Sequence, residues 1–303
     1  MSMSPGALRA ALTGVIGFPV TPFRPDLSVD LDGLRGNLRA MLRQPLAAVV
    51  AAGGTGELYS LTPAEHLAVV RAVVAETAGR VPVIAGTGFN AALGADLARE
   101  AASSGADGIL VFPPYYPSPE DEGVAAYYRA IAAATPLGML IYSRDWFHPG
   151  AALVERLAEI PTLVAWKDGQ GDTRRLQIIR QRVGDRLHWI GGAGDDLVPA
   201  YYAIGIRTFT SSVANVSPAI SLQLHTAGAA GDAATLDRLM RDYVVPLYAL
   251  RARRKGHEVT VMKELMNMVG LTGGSVRPPL VPLTAAELAE VRALLPAWQE
   301  TAS

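Results

Sequence analysis

Short apolar runs and helix-length amphipathic segments alternate eight times in succession along this chain, and that alternation restricts the fold more than any other feature. The runs are Thr13–Val20, Leu46–Gly53, Val81–Gly88, Gly108–Pro114, Leu137–Ser143, Leu163–Gly169, Leu187–Ala193 and Arg207–Ser212. The segments that follow them are Val29–Arg43, Thr62–Ala78, Ala91–Ser104, Pro119–Ala134, Pro149–Glu159, Asp172–Val183, Asp195–Ile204 and Pro218–Ala229. The second of these carries its own start signal, with Thr62 and Glu65 at capping-box spacing and Pro63 at the first helical position. Strands buried on both faces read as near-continuous apolar runs, which indicates a parallel sheet. Eight strand–helix units in series close most naturally as a (β/α)8 barrel of the TIM type, an open doubly wound sheet being the alternative.

The length agrees. A barrel needs about 250 residues, and the chain has 303. Beyond Asp232 the strand signal stops, and Ala233–Arg254, Glu258–Val269 and Thr284–Leu295 read as helices. The expected organisation is therefore a barrel with the active site over 1–232 and a C-terminal helical region packing on it over 233–303.

Half of the residues are hydrophobic and the formal net charge is -1. Without a basic surplus, neither nucleic acid nor an anionic membrane is an expected partner, and a small solute is. There are no cysteines, which excludes disulfides, thiolate metal sites and cysteine nucleophiles. The first twelve residues lack the apolar stretch of a secretory signal, and no apolar run reaches the roughly 18 residues of a membrane span, so a cytoplasmic location is expected. The five histidines are scattered without a metal-binding spacing, so no metal site is expected.

In such barrels the chemistry sits at the C-terminal ends of the strands. The sixth run carries Lys167 in Leu-Val-Ala-Trp-Lys-Asp-Gly. The chain has only three lysines, Lys167, Lys255 and Lys263, among 27 basic residues, so arginine serves wherever a solvated cation is enough. Lysine differs in that it loses its proton when desolvated. A neutral amine adds to a ketone and, after loss of water, leaves an iminium that draws electrons from the adjacent carbons. The plainer alternative is a rim lysine paired with Asp168 or Asp172. Tyr142 ends the fifth run and could shuttle protons during that addition, or be a core tyrosine with its hydroxyl at the rim.

Gly53-Gly54-Thr55-Gly56-Glu57 closes the second run. Its backbone N–H groups could form a nest for a carboxylate around Gly54, Thr55 and Gly56, or it could be only a tight turn. It lacks the spacing of a nucleotide-binding loop. Arg144 with Asp145 could bind a distal carboxylate and orient Tyr142, or the two could pair with each other. Ser211 and Ser212 at the end of the eighth run could donate to substrate, although for at least one of them a role without ligand is the simpler reading.

Taken together, Gly53–Glu57, Tyr142 and Lys167 resemble the dihydrodipicolinate synthase/N-acetylneuraminate lyase superfamily of Schiff-base barrels, over nearly the whole chain. Within it the chain is most similar to the 5-dehydro-4-deoxyglucarate dehydratase subfamily. That likeness rests on Gly17–Phe23, Tyr142-Ser143-Arg144-Asp145, Lys167–Asp172, Ser211-Ser212 and Gly274–Leu280. It implies a cofactor-free lyase in which Lys167 forms the Schiff base, Tyr142 assists, and a six-carbon keto-diacid loses water and CO2 to give 2,5-dioxopentanoate. A pyruvate-dependent aldolase or a synthase-like enzyme is the alternative, and a non-catalytic binding relative is a further one. The resemblance also implies a homotetramer. Three positions depart from the patterns: Gly54 replaces a threonine of the synthases, Trp146 stands where the subfamily has asparagine, and Tyr116 matches the synthases instead of the subfamily's leucine.

Overall fold

A computed structural model describes residues 2–115 and 118–299. Eight parallel strands close in sequence order: β1 (Gly14–Gly17), β2 (Ala48–Ala51), β3 (Val83–Phe89), β4 (Gly108–Pro114), β5 (Gly138–Ser143), β6 (Leu163–Asp168), β7 (His188–Gly191) and β8 (Thr208–Ser211). The ladder between β1 and β8 pairs Gly14 with Thr208 and Gly17 with Ser211, so the sheet has no free edge and the open-sheet alternative is excluded. Strands β1, β2, β6, β7 and β8 end before their apolar runs do, and the last residues of those runs leave the ladder to form loops at the top of the barrel.

Alternation along each strand divides the core. Ile16, Val50, Ile84, Leu110, Leu140, Ala165 and Ile190 fill the barrel interior. Val15, Val49, Ile109, Ile141, Trp166 and Phe209 face the surrounding helices. These helices are α2 (Leu31–Met41), α3 (Pro63–Thr77), α4 (Ala91–Ser103), α5 (Asp121–Ala132), α6 (Ala151–Leu157), α7 (Thr173–Val183), α8 (Val198–Ala203) and α9 (Pro218–Ala230). The capping box at Thr62 and Glu65 is formed, and Asp172 caps α7 through the Arg175 N–H. The segment expected as a helix from Asp195 opens instead with a 3-10 turn over Asp195–Leu197, because Pro199 has no N–H to give a longer α-helical start.

One element was not expected. Helix α1 (Pro5–Ala11), capped by Ser4, precedes the barrel, and its Leu8, with Leu12, packs into the interior layer. Gly108 and Gly138 at the starts of β4 and β5 make room: a Cβ at either would stand 2.5 or 2.8 Å from Leu8. The N-terminal segment thus plugs the end of the barrel opposite the loops.

After α9 the chain is helical, as α10 (Ala233–Leu239), α11 (Val245–Arg251), α12 (His257–Met268) and α13 (Ala285–Gln299). The single helix expected over Ala233–Arg254 is divided by a π turn at Met240–Val244, next to Pro246, whose missing N–H cannot continue a regular ladder. The stretch between α12 and α13 returns to the barrel loops. Ser275 pairs with Phe23, and Arg277 donates to Glu65 and to the carbonyls of Leu27 and Ser60. Among the described residues no helix is long and apolar enough to cross a membrane.

Candidate active site

A cavity of about 660 Å³ opens at the C-terminal end of the barrel, lined by Phe18, the Gly54–Thr55 turn, Phe112, Tyr142, Arg144, Lys167, Gly192 and Ser212, among others. The β5–β6 register sets Tyr142 beside Lys167. Both side chains point inward because they share the parity of Leu140 and Ala165.

Lys167 is 3% exposed. Its Nζ donates to the Gly192 carbonyl at 2.9 Å and lies 3.2 Å from the centroid of the Tyr142 ring and 5.3 Å from that of Phe18. Burial pushes the amine well below the ordinary lysine range, the nearby Arg144 charge pushes it further, and Asp168 opposes both. The rim pairing that would keep it charged is not formed. The Asp168 carboxylate accepts instead from Tyr201 Oη at 2.8 Å and from the N–H groups of Gln170 and Gly171 at 3.1 Å, fixing the loop after β6. Asp172 is occupied as a helix cap. Space at the amine depends on Gly192, where a Cβ would stand 2.5 Å from Lys167 Cγ and 2.6 Å from Nζ.

The Tyr142 hydroxyl faces the same Gly192 carbonyl at 3.4 Å. The ring is held edge-on by Phe112, with centroids 5.4 Å apart, and burial raises the phenol's pKa, so it stays protonated at neutral pH. Arg144 pairs with Asp145 at 2.9 Å, and its guanidinium lies 5.4 Å from the Tyr142 ring centroid. Its Nη1 reaches to 3.4 Å of the point a Cβ on Gly54 would occupy. The missing threonine side chain at this position is therefore where the arginine enters.

The turn itself is flanked by two non-glycine residues in left-handed backbone, Ala52 at φ 49° and Glu57 at φ 53°. The Gly56 carbonyl is fixed by Thr21 Oγ1 at 2.7 Å. The Thr55 and Gly56 N–H groups donate to no acceptor among the described residues; of the turn, Gly54 and Thr55 line the cavity, while Gly56 is buried behind them. Glu57 is completely buried and meets the ammonium of Lys263 on α12.

The two serines part company. Ser211 is fully buried, donating to Asp195 Oδ1 at 2.5 Å and lying 2.8 Å from Ser221 Oγ. Ser212 is the more exposed of the pair, with its N–H 3.2 Å and its Oγ 3.4 Å from Asp195 Oδ2. Asp195 also accepts from Tyr248 Oη at 2.8 Å. Trp146 lines the cavity and donates to the Pro114 carbonyl at 3.2 Å. Tyr116 lies outside the described residues.

Sequence reading missed the wall supplied by the C-terminal helices: Tyr248, Arg251, Ala252, Glu258 and Val259. Nothing local in their sequence marks them as cavity residues, since only tertiary packing brings α11 and α12 over the barrel mouth. Phe18 and Phe112 were findable by the strand-end rule. Among the described residues no cluster of histidine, aspartate and glutamate is arranged to hold a metal ion.

Comparison with known proteins places this geometry. The model of the dihydrodipicolinate synthetase family matches residues 11–298. A Bradyrhizobium diazoefficiens protein named "Probable 5-dehydro-4-deoxyglucarate dehydratase" is 40% identical over 286 residues, covering 93% of this chain and 91% of the relative. A Methylobacterium radiotolerans protein of the same name is 42% identical over 298 residues, covering 97% and 98%. Among solved structures, dihydrodipicolinate synthase from Bacillus clausii superposes with a TM-score of 0.92 at 29% identity, covering 96% of this chain and 99% of that one.

Proposed function

Because the chain belongs to the dihydrodipicolinate synthetase family, we propose that it is a decarboxylating dehydratase that converts 5-dehydro-4-deoxy-D-glucarate to 2,5-dioxopentanoate, CO2 and water through a Schiff base on Lys167. The reading rests above all on Lys167, a desolvated amine without a carboxylate partner, opening on a cavity. Relatives about 40% identical, named for this reaction, give the substrate.

In the proposed sequence the proximal carboxylate rests on the Thr55 and Gly56 N–H groups. The neutral Lys167 amine adds to the keto carbon, Tyr142 passes protons to and from the carbonyl oxygen, and water leaves to form the iminium. The iminium acidifies the neighbouring CH2. Loss of that proton gives an enamine, which expels the β-hydroxyl as water and becomes a conjugated iminium. The distal carboxylate, on the γ-carbon, then departs as CO2, and its electron pair runs through the new double bond to the iminium nitrogen. Protonation and hydrolysis return the amine and release the five-carbon keto-aldehyde. The organic iminium is the electron sink, so this sequence calls on no metal or organic cofactor.

Arg144 adds positive charge beside the turn and helps keep Lys167 neutral, while Ser212 borders the substrate with Asp195 behind it. Ser211 acts through Asp195. We extend the proposal to a cytoplasmic homotetramer built from a barrel over 1–232 and a helical region over 233–303, which light scattering across a concentration series tests: a persistent monomer overturns the tetramer.

Assaying CO2, 2,5-dioxopentanoate and pyruvate together after incubation with 5-dehydro-4-deoxyglucarate tests the activity. The dehydratase gives CO2 and the keto-aldehyde in equal amounts. Pyruvate without CO2 identifies an aldolase instead.

A further inference from the structure

The cavity holds a second arginine that this chemistry has not used. Arg251, the last residue of α11, lines the cavity and is 9% exposed. Its Nε donates to the Glu258 carbonyl at 3.2 Å, and its guanidinium lies 4.3 Å from the centroid of the Tyr248 ring. Nη1 is buried and has no hydrogen-bond partner among the described residues. A buried guanidinium nitrogen without an acceptor costs free energy, so the protein around it compensates this cation incompletely.

The two cavity arginines are not equivalent. Arg144 is paired with Asp145 and sits over the turn that takes the proximal carboxylate. Arg251 has no ion pair among the described residues. It enters the cavity from a different wall, on α11, and the tyrosine beneath it is bonded to Asp195, just beyond β7. Carboxylates are also near: Glu258 lines the same wall, with Oε2 accepting from the Gly256 N–H at 2.8 Å, and Asp196 lies within range of the Arg251 charge.

We propose that Arg251 is a specificity-determining residue that receives the distal carboxylate of the keto-diacid and so selects diacids over monoacids. The proposal rests on the Lys167 Schiff-base reading. A charge-assisted pair of this kind corresponds to about a 10- to 100-fold preference.

The test compares two six-carbon keto acids, 2-oxoadipate and 2-oxohexanoate, by the concentration needed for half-maximal borohydride trapping on Lys167, read by intact mass. Wild type should prefer the diacid by about 10- to 100-fold. Arg251→Gln should lose most of that preference, and Arg251→Lys should restore part of it, which a merely structural role would not produce. Melting curves identify variants that fail to fold, and the lysine variant keeps the test informative if the glutamine variant is one of them. Equal weakening for both acids in Arg251→Gln, a preserved preference, or a preference lost only in Arg144→Gln overturns the proposal. If wild type traps neither acid, the Schiff-base reading itself fails. If it traps both without preference, only the role of Arg251 does.

Discussion

Lys167 on β6 and Lys263 on α12 are both buried, at 3% and 1% exposure, and in both burial lowers the pKa. Their surroundings then diverge. The Lys263 ammonium meets the Glu57 carboxylate, donates to the Ser275 carbonyl at 2.8 Å and stacks over Phe23. Glu57 pulls its pKa back up, while burial raises the Glu57 carboxyl. Lys167 has a carbonyl, two aromatic faces and a neighbouring guanidinium, with the nearest carboxylate turned toward Tyr201 and the β6 loop. Burial alone therefore does not make a lysine a nucleophile. What distinguishes the two is the missing acid partner and an open volume in front of the amine. The first lysine is available for chemistry, and the second ties the C-terminal helices to the glycine turn on which the substrate is proposed to rest.

The largest effect should come from replacing the unpaired lysine. Lys167→Met is expected to abolish turnover and borohydride trapping together, with intact-mass analysis showing no keto-acid adduct. Trapping that persists in this variant and maps to Lys263 would reverse the comparison. Next in size is Tyr142→Phe. A positioned acid or base contributes about 10²- to 10⁴-fold, and kcat should fall by that range while the fold is retained. Unchanged kcat would remove the tyrosine from the proton path.

Lys263→Met probes the other half of the comparison. Removing one partner of a buried pair leaves the other charge uncompensated and costs about 3–5 kcal/mol. Urea denaturation should show that loss, and the folded fraction should still trap a keto acid on Lys167. If stability is unaffected and trapping is lost, Lys263 belongs to the chemistry and the contrast drawn above is wrong.

What the sequence revealed, and what it hid, follows the same division. The eight strands were legible because both of their faces are buried, so each is a continuous apolar run. Lys167 stood out because lysine is rare in this chain, and Tyr142 because it ends the adjacent strand. The Glu57–Lys263 pair spans more than 200 positions, and an amphipathic helix such as α12 shows which face is buried without showing what it meets. Helix α1 was hidden for a related reason. A seven-residue helix has too few turns to display a period, and its role as a plug depends on Gly108 and Gly138 far along the chain. Tyr248 and Arg251 reach the cavity only through the packing of α11. Ser211 and Ser212 looked alike in sequence, and the 3-10 turn that places Asp195 beneath them is what separates their surroundings.

The smallest expected effect is on stability, and its sign depends on pH. The folded-state pKa of Lys167 is lowered, so the unfolded chain holds this proton to higher pH than the native state does. Where the unfolded state binds more protons, native stability rises with pH. Lys167 thus weakens the fold at pH values below its folded pKa and progressively less as pH climbs toward the ordinary lysine range. Lys167→Met removes that burden, and near neutral pH the inactive variant should be more stable than wild type by about 0.5–2 kcal/mol, as when a strained functional group is removed from an active site. The gain should shrink in alkaline buffer, and melting curves recorded from pH 6 to pH 10 measure it. The same series on kcat/KM should show activity rising with pH through the titration of the free amine. A stability gain independent of pH would mean that the lysine is disfavoured by packing alone, and that its reactivity owes less to desolvation than the contrast with Lys263 implies.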